Sequence, residues 1–499
     1  MILSLIKHNR YDLSRWIAMS MLLLATAFSM RASLPDSLLR YDAEINVSFS
    51  SGENTPFWLV NNRFGLSSIE KNNGYVRAGL FKDIRMEKKR FSWGAGVDLA
   101  AAWNFTSPFV VQQLYGEISY WNGKLTIGSK ERTELINDPK LSSGNLLFSP
   151  NARPIPQARI ELPDYIEIPG LNKWFAIKGY FSFGMFTDDN WQRDFTVGKN
   201  KHTENVLFHS KGGFIRVGDL NRFPVVGEAG LEMAAQFGGK SISGDKVINM
   251  PHSIKDWWHI IIPSGGGSDT PLGEQTNIYG NHVGEWVFTL SYLPQDKDIS
   301  VKAYYEHYFE DHSMMFFDYK WRDMLLGLQM TLPKNPVIKG FVYEYLYTKD
   351  QAAPVYWDHT PEIPEQVSGR DEYYNHGIYT GWQHWGMGIG NPLLISPIYN
   401  RNGSIYFNHN RLEGHHLGII GSPIPLVDYR ILLSYTKSWG TYNNPTSKVL
   451  KNFNTLFEAT IHPTCLKGWQ GTLSIATDGG SLLGPSFGVM FSIRKTGWL

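Results

Sequence analysis

The chain has 499 residues, 14% of them aromatic and only 19% charged, against about 25% charged in average soluble proteins. Its mean hydropathy of −0.27 nonetheless excludes a helical membrane protein. A formal charge of +1 without any basic cluster gives no electrostatic case for nucleic acid.

At the N-terminus Lys7, Arg10 and Arg15 precede an apolar run from Trp16 to Met30. That run of about 15 residues is too short for a spanning helix, which needs about 20. Ala25 and Ala27 supply an A-x-A cleavage signal, and a rival cut follows Ala32. We therefore expect residues 1–32 to be a secretory signal peptide and residues 33–499 to form a single domain. No Cys follows the apolar run, so anchoring through an acylated N-terminal Cys is not expected. The single Cys465 permits no internal disulfide and reads as a small residue packed among neighbours.

From residue 41 onward, short segments alternate apolar and polar residues, and no long apolar helix follows residue 30. Leu114, Ile118 and Tyr120 alternate with Gln113, Glu117 and Ser119; Asn122-Gly123 then predicts a hairpin turn into 124–130. Phe175, Ile177, Phe181 and Phe183 oppose Lys178, Ser182 and Gly184. Trp286, Phe288 and Leu290 oppose Glu285, Thr289 and Ser291. The last segment places Phe487, Val489, Phe491 and Ile493 on one face and Ser486, Gly488, Ser492 and Arg494 on the other.

Strands are expected near 41–50, 74–84, 91–103, 112–120, 123–130, 173–186, 206–217, 226–238 and 282–293. Nine more fall near 299–310, 324–332, 336–348, 372–379, 404–418, 428–438, 452–462, 469–478 and 486–495. The total of eighteen is even, as in bacterial single-chain barrels. Water is absent from a bilayer core, so only helices and closed barrels span it. The expected fold is all-β: a large transmembrane antiparallel barrel in the bacterial outer membrane, acting as a monomer. The 41–50 strand is open to lying outside the barrel. One miscounted strand would swap the side of every later loop, so no loop is assigned to a membrane face.

Long gaps remain at 51–73, 131–172, 187–205, 239–281 and 349–403. Such loops are usually functional or disordered; their aromatics, prolines and glycines predict ordered caps or a short helical or loop plug. Within them, Leu141–Gly144 and Asn151–Gln157 stand out. Pro154 and Pro156 stiffen a Ser/Asn-rich stretch that carries one guanidinium, Arg153. It either presents hydrogen bonds to a polar ligand or is a rigid connection whose Arg153 satisfies backbone carbonyls.

Three stretches carry a family resemblance: Asn54-Thr55-Pro56-Phe57-Trp58-Leu59, Asn73-Gly74-Tyr75-Val76-Arg77-Ala78-Gly79, and Leu141–Gly144 with Asn151–Gln157. Together they resemble the Wzi-type capsule assembly family, over a region running from about residue 41 to the C-terminus. The resemblance implies an outer-membrane barrel, eighteen-stranded with a helical plug in the type member. It also implies a lectin-like, non-catalytic role in assembling capsular polysaccharide or attaching it to the cell surface. The expected partners are capsular or other surface polysaccharide and outer-membrane lipid, with no cofactor and no metal.

Sugar recognition needs aromatic faces beside amide and charged partners. Candidate glycan contacts are Asn151, Arg153, Gln157, Trp257, Trp258, Trp382 and Trp385, with Trp191 and Trp357 weaker. For any single Trp, loop packing or an interfacial belt is the competing role. On one unbroken strand His409, Glu413 and His415 would share a face. However, His409 and His415 would lie about 20 Å apart at roughly 3.3 Å per residue, too far for one ion. A lumen-facing polar pair, Glu413 with His415, is the expectation there.

Two other function classes compete. A porin would keep an open lumen with charged residues at a constriction. An outer-membrane lipase would need a Ser nucleophile and His base in reach. His209-Ser210, His252-Ser253 and His312-Ser313 supply the residue types, but neighbours on a strand face opposite sides and form no dyad.

Overall fold

The computed structural model describes residues 39–499 apart from 85–89, 134–135, 172, 277, 296–297, 311–320, 352–355, 358–365 and 369–370. The expected signal peptide and His312-Ser313 lie outside the described residues.

The wall is built from β1 (Leu39–Gly52), β2 (Asn72–Lys82), β3 (Phe91–Trp103), β4 (Phe109–Tyr120), β5 (Gly123–Ser129) and β6 (Gln157–Glu167). There follow β7 (Phe175–Met185), β8 (Leu207–Val217), β9 (Val225–Phe237), β10 (Asn281–Tyr292), β11 (Ser300–Glu310) and β12 (Met324–Thr331). It is completed by β13 (Gly340–Tyr347), β14 (Leu412–Ile424), β15 (Val427–Gly440), β16 (Pro445–Ile461), β17 (Trp469–Gly480) and β18 (Ser486–Trp498). Each strand pairs with its neighbours in sequence, and β1 pairs antiparallel with β18 from Arg40↔Trp498 to Gly52↔Ser486. The result is a closed eighteen-stranded antiparallel barrel, which pairs the wall backbone strand to strand.

The period of two places each side chain. On β18, Phe487, Phe491 and Ile493 are exposed on the outer face, while Ser486 and Met490 are buried toward the lumen. The outer face of β1 shows Ile45, Val47 and Phe49 in the same way. Inside, charge is neutralised in place: Arg77 on β2 bonds Asp98 and, at 2.9 Å, Glu131, while Arg494 on β18 bonds Asp42 on β1.

The count of eighteen is right through two offsetting errors. Segment 157–167, read as part of a gap, is β6. Its lumenal charges Arg159 and Glu161 and its Pro163, at a register break between Leu162 and Ile166, hide the alternation. Segment 372–379, read as a strand, lies inside the barrel; Tyr373 and Tyr374 there are wholly buried against protein. The 41–50 segment belongs to the wall as β1. The turn after β4 is Trp121-Asn122, one residue earlier than expected, with Tyr120 paired to Gly123 and Trp121 at φ +58°.

Placing β6 correctly settles the ends. Segments 53–71, 130–156, 186–206, 238–280 and 348–411 all leave from one end of the barrel, and turns such as 121–122, 425–426 and 462–468 occupy the other. Cys465 sits exposed in the last of these turns rather than packed among neighbours.

Candidate functional site

Segments 53–71, 130–156 and 372–411 turn inward and fill the upper lumen. Irregular backbone at membrane depth must find partners in protein, and a set of lumenal carboxylates supplies them. Glu344 on β13 accepts hydrogen bonds from Ser143 N at 2.7 Å and from the hydroxyls of Ser142 (2.5 Å), Ser143 (2.5 Å) and Tyr304 (2.6 Å). Glu306 on β11 takes Leu146 N at 2.7 Å and Glu285 on β10 takes Leu147 N at 3.0 Å. Glu310 takes Tyr374 N at 2.5 Å, and Asp478 on β17 takes Phe57 N at 2.8 Å. Sequence reasoning missed this role, although an isolated acid on the polar face of a strand, such as Glu285, was its visible sign.

Two of the three stretches that carried the family resemblance converge here, while Asn73–Gly79 lies in the wall as part of β2. Phe57–Val60 forms a one-turn helix whose Trp58 donates to Ser434 Oγ at 3.2 Å. Asn62 donates to Ser143 O at 2.9 Å, and its amide donates to Asn151 Oδ1 at 3.1 Å. Gly144 adopts φ +115°, where a Cβ would meet Ser149 at 2.9 Å. The turn thus needs glycine for both conformation and space.

The predicted site residues fall in three places. Asn151 is 0% exposed and also donates to Gly388 O at 2.9 Å; Trp382 is likewise 0% exposed and donates to Leu147 O at 2.8 Å. Both are plug interior and offer nothing to a surface glycan. Arg153 donates to Gly65 O at 3.4 Å and Thr106 Oγ1 at 2.8 Å, and it lies over the half-buried Trp385 ring at 4.2 Å. Burial without a carboxylate partner lowers its pKa to about 10, so it remains charged at neutral pH. Gln157, at the start of β6, borders a cavity beneath the plug. Trp191 is buried and stacked on Phe195, and the side chain of Trp357 lies outside the described residues.

Trp257 and Trp258 lie elsewhere. Segment 238–280 folds over the outer wall of β7–β10, sealing the outward-facing His209 and His282. Its helix Ile254–Ile261 opens with a capping box between Ser253 and Asp256. Trp257 packs on Phe183 at 4.4 Å and on Phe237 at 5.6 Å. Trp258 is 60% exposed, with Ile254 at 84% and Ile262 at 63%. Four-residue spacing sets these three on one stripe, pointing away from the wall. Trp257 is thus loop packing, and only Trp258 is placed for a belt role.

Glu413 and His415 also face outward, correcting their expected lumenal placement. They meet Tyr345 (3.3 Å) and Tyr343 (2.8 Å), beside Tyr435 and Lys437, as an interfacial girdle would. His416 is the lumenal residue: its ring contacts Leu141 O at 2.8 Å and Ser434 Oγ at 2.8 Å. His409 precedes β14 and contacts Ser438 Oγ at 3.1 Å. Among the described residues no three His, Cys, Asp or Glu gather as a metal site. His209 faces outward and contacts Ser182 O, while Ser210 faces the lumen and shares a hydrogen bond with Ser182; Ser253 caps its helix.

At the long-segment end, exposed Arg193, Lys199, Asn402, Asn443 and Asn444 crown the plug. Asn200 braces this surface by donating to Asn402 O and Gly403 O at 3.1 and 2.9 Å.

The fold is similar to solved outer-membrane barrels. Wzi of Escherichia coli, described as a carbohydrate-binding β-barrel involved in group 1 capsule assembly, aligns over 95% of this chain and 88% of its own. The TM-score is 0.56 at 13% identity. Pseudomonas aeruginosa OpdQ aligns over 93% of this chain and 100% of its own, with TM-score 0.47 and 10% identity. Acinetobacter baumannii OccAB2 covers the same shares, with TM-score 0.45 and 10% identity. No protein-family model and no curated protein sequence matches the chain. At these identities the likeness is one of fold: the protein is an outer-membrane β-barrel.

Proposed function

We propose that this barrel is a non-catalytic, lectin-like protein that assists assembly or surface attachment of capsular polysaccharide. One observation carries the reading: the upper lumen is filled by a plug bonded to the wall, and all five long segments crown that same end. Outer-membrane barrels keep short turns in the periplasm and long loops outside, so the crowned end meets the cell surface. There Asn402, Asn443 and Asn444 offer amide donors and acceptors, and Arg193 and Lys199 offer charge, on segments held by the plug beneath. Such preorganisation lowers the ordering cost of binding. The description of Wzi as carbohydrate-binding and involved in capsule assembly supports the same reading.

A strain lacking the protein should release polysaccharide into the medium; normal cell-bound polysaccharide in that strain overturns the proposal. Capture of purified capsular glycan should fall when Asn402, Asn443 and Asn444 are changed to Ala, and should not change in Trp258→Ala. The rival reading, a selective channel, requires large and steady conductance from the purified protein in planar bilayers.

A further inference from the structure

We infer that the lumen beneath the plug holds a second site, which receives an acidic saccharide from the short-turn end. A cavity of about 640 Å³ lies between the underside of the plug and the wall formed by β6–β9, within the roughly 300–1,000 Å³ of ligand pockets. Six cationic side chains border it against three carboxylates, Glu161, Asp164 and Glu232. Two of those acids are engaged: Glu161 by Lys124 at 2.9 Å and Arg159 at 2.6 Å, Glu232 by the Tyr180 hydroxyl at 2.7 Å.

Lys178 and Arg216 are different. Among the described residues neither forms an ion pair, although Glu228 stands opposite Arg216 in the β8–β9 register and Glu232 is near enough to feel the Lys178 charge. Both lie over one ring, Tyr165, at 4.9 and 4.7 Å, and Lys178 lies also over Phe214 at 4.8 Å. Two like charges gathered on one ring repel each other in a partly desolvated lumen, and a bound anion relieves that repulsion. Arg216 is the penultimate residue of β8 and Lys178 the fourth of β7, so both stand toward the short-turn mouth. Arg159 lies over Tyr180 at 3.5 Å deeper in. Cations alternating with aromatic rings match a pyranose bearing a carboxylate: the guanidinium takes the acid in a fork and ring faces take the sugar. The site needs no residue of the outward surface, so it stands or falls apart from the surface reading.

The test uses the full-length protein in detergent, titrated calorimetrically with a glucuronate-containing tetrasaccharide, neutral maltotetraose and inorganic phosphate. The acidic sugar should bind, weaken with added salt, and outcompete the neutral one. Lys178→Gln with Arg216→Gln should lower its affinity at least about tenfold, with folding checked by heat-modifiable gel mobility. Equal binding of acidic and neutral sugars, no binding of the acidic sugar, binding of phosphate alone, or unchanged affinity in the folded double variant each overturns the inference. The wild-type comparison of charged with neutral sugar stands without any variant.

Discussion

Two sides of the same lumen use their charges in opposite ways. On β10, β11 and β13, Glu285, Glu306 and Glu344 are buried and each accepts plug amides or hydroxyls. On β6, β7 and β8, Arg159, Lys178 and Arg216 line open space. The acids complete the protein's own backbone, whereas two of those cations lie over aromatic rings and form no ion pair among the described residues. A lumenal charge therefore has two meanings in this barrel, and its partner decides which.

The contrast can be broken most sharply at Glu344. Glu344→Ala strands a buried amide and three hydroxyls, each worth about 1–3 kcal/mol when unsatisfied. We expect a loss of about 3–5 kcal/mol in plug docking after partial relaxation, read as new conductance in planar bilayers and rapid proteolysis of 130–156. A variant as silent as wild type would remove the acid wall from this account.

Acid should loosen the plug next. His384 is buried, with Nδ1 at 2.9 Å from Arg153 O and Nε2 at 2.7 Å from Thr187 O and 3.3 Å from the Thr187 amide; burial outweighs these carbonyls and lowers its pKa to about 4. Because the docked plug holds the ring neutral, its contribution is whole above the unfolded pKa near 6.5. It falls by about 1.4 kcal/mol per pH unit between roughly 6.5 and 4. Protease sensitivity of 373–411 should rise across that window, and His384→Gln should flatten the rise.

Trp258→Ala should shift partition into lipid vesicles by about 1–2 kcal/mol, from the apolar area withdrawn, while glycan capture stays constant. The smallest effect is expected on the cationic side. Lys178→Gln with Arg216→Gln breaks no ion pair among the described residues and removes only contacts with the Tyr165 and Phe214 rings, partly offset by relief of like-charge repulsion, so thermal stability should change by about 1 kcal/mol or less. A large loss would mean that these cations are structural after all.

The wall was legible because lipid and lumen impose a period of two on every strand. It failed where another demand overrode that period. Pro163 and the lumenal charges masked β6. The segment 372–379 read as a wall strand, but its aromatics face protein: Tyr373 and Tyr374 pack on Tyr308 at 4.9 and 5.4 Å. The stiffness of Leu141–Gln157 was readable from Pro154 and Pro156, and its inward course was not. Ser143 meets Glu344 across 201 residues of chain, a pairing that no local pattern announces. The same holds for Trp382, whose size advertises a sugar platform and whose position makes it core.

The seat of the segment between β1 and β2 has a consequence for biogenesis. Phe57 and Trp58 bond to Asp478 on β17 and Ser434 on β15, and the wall itself closes only when β18 meets β1. The first inward segment to be synthesised thus waits for some of the last strands. Such sequence-distant closure is slow, but it also means that a truncated chain gains neither a sealed wall nor a docked stopper. Completion of the C-terminus is therefore the step that turns this chain from an unfinished sheet into a closed gate in the cell envelope.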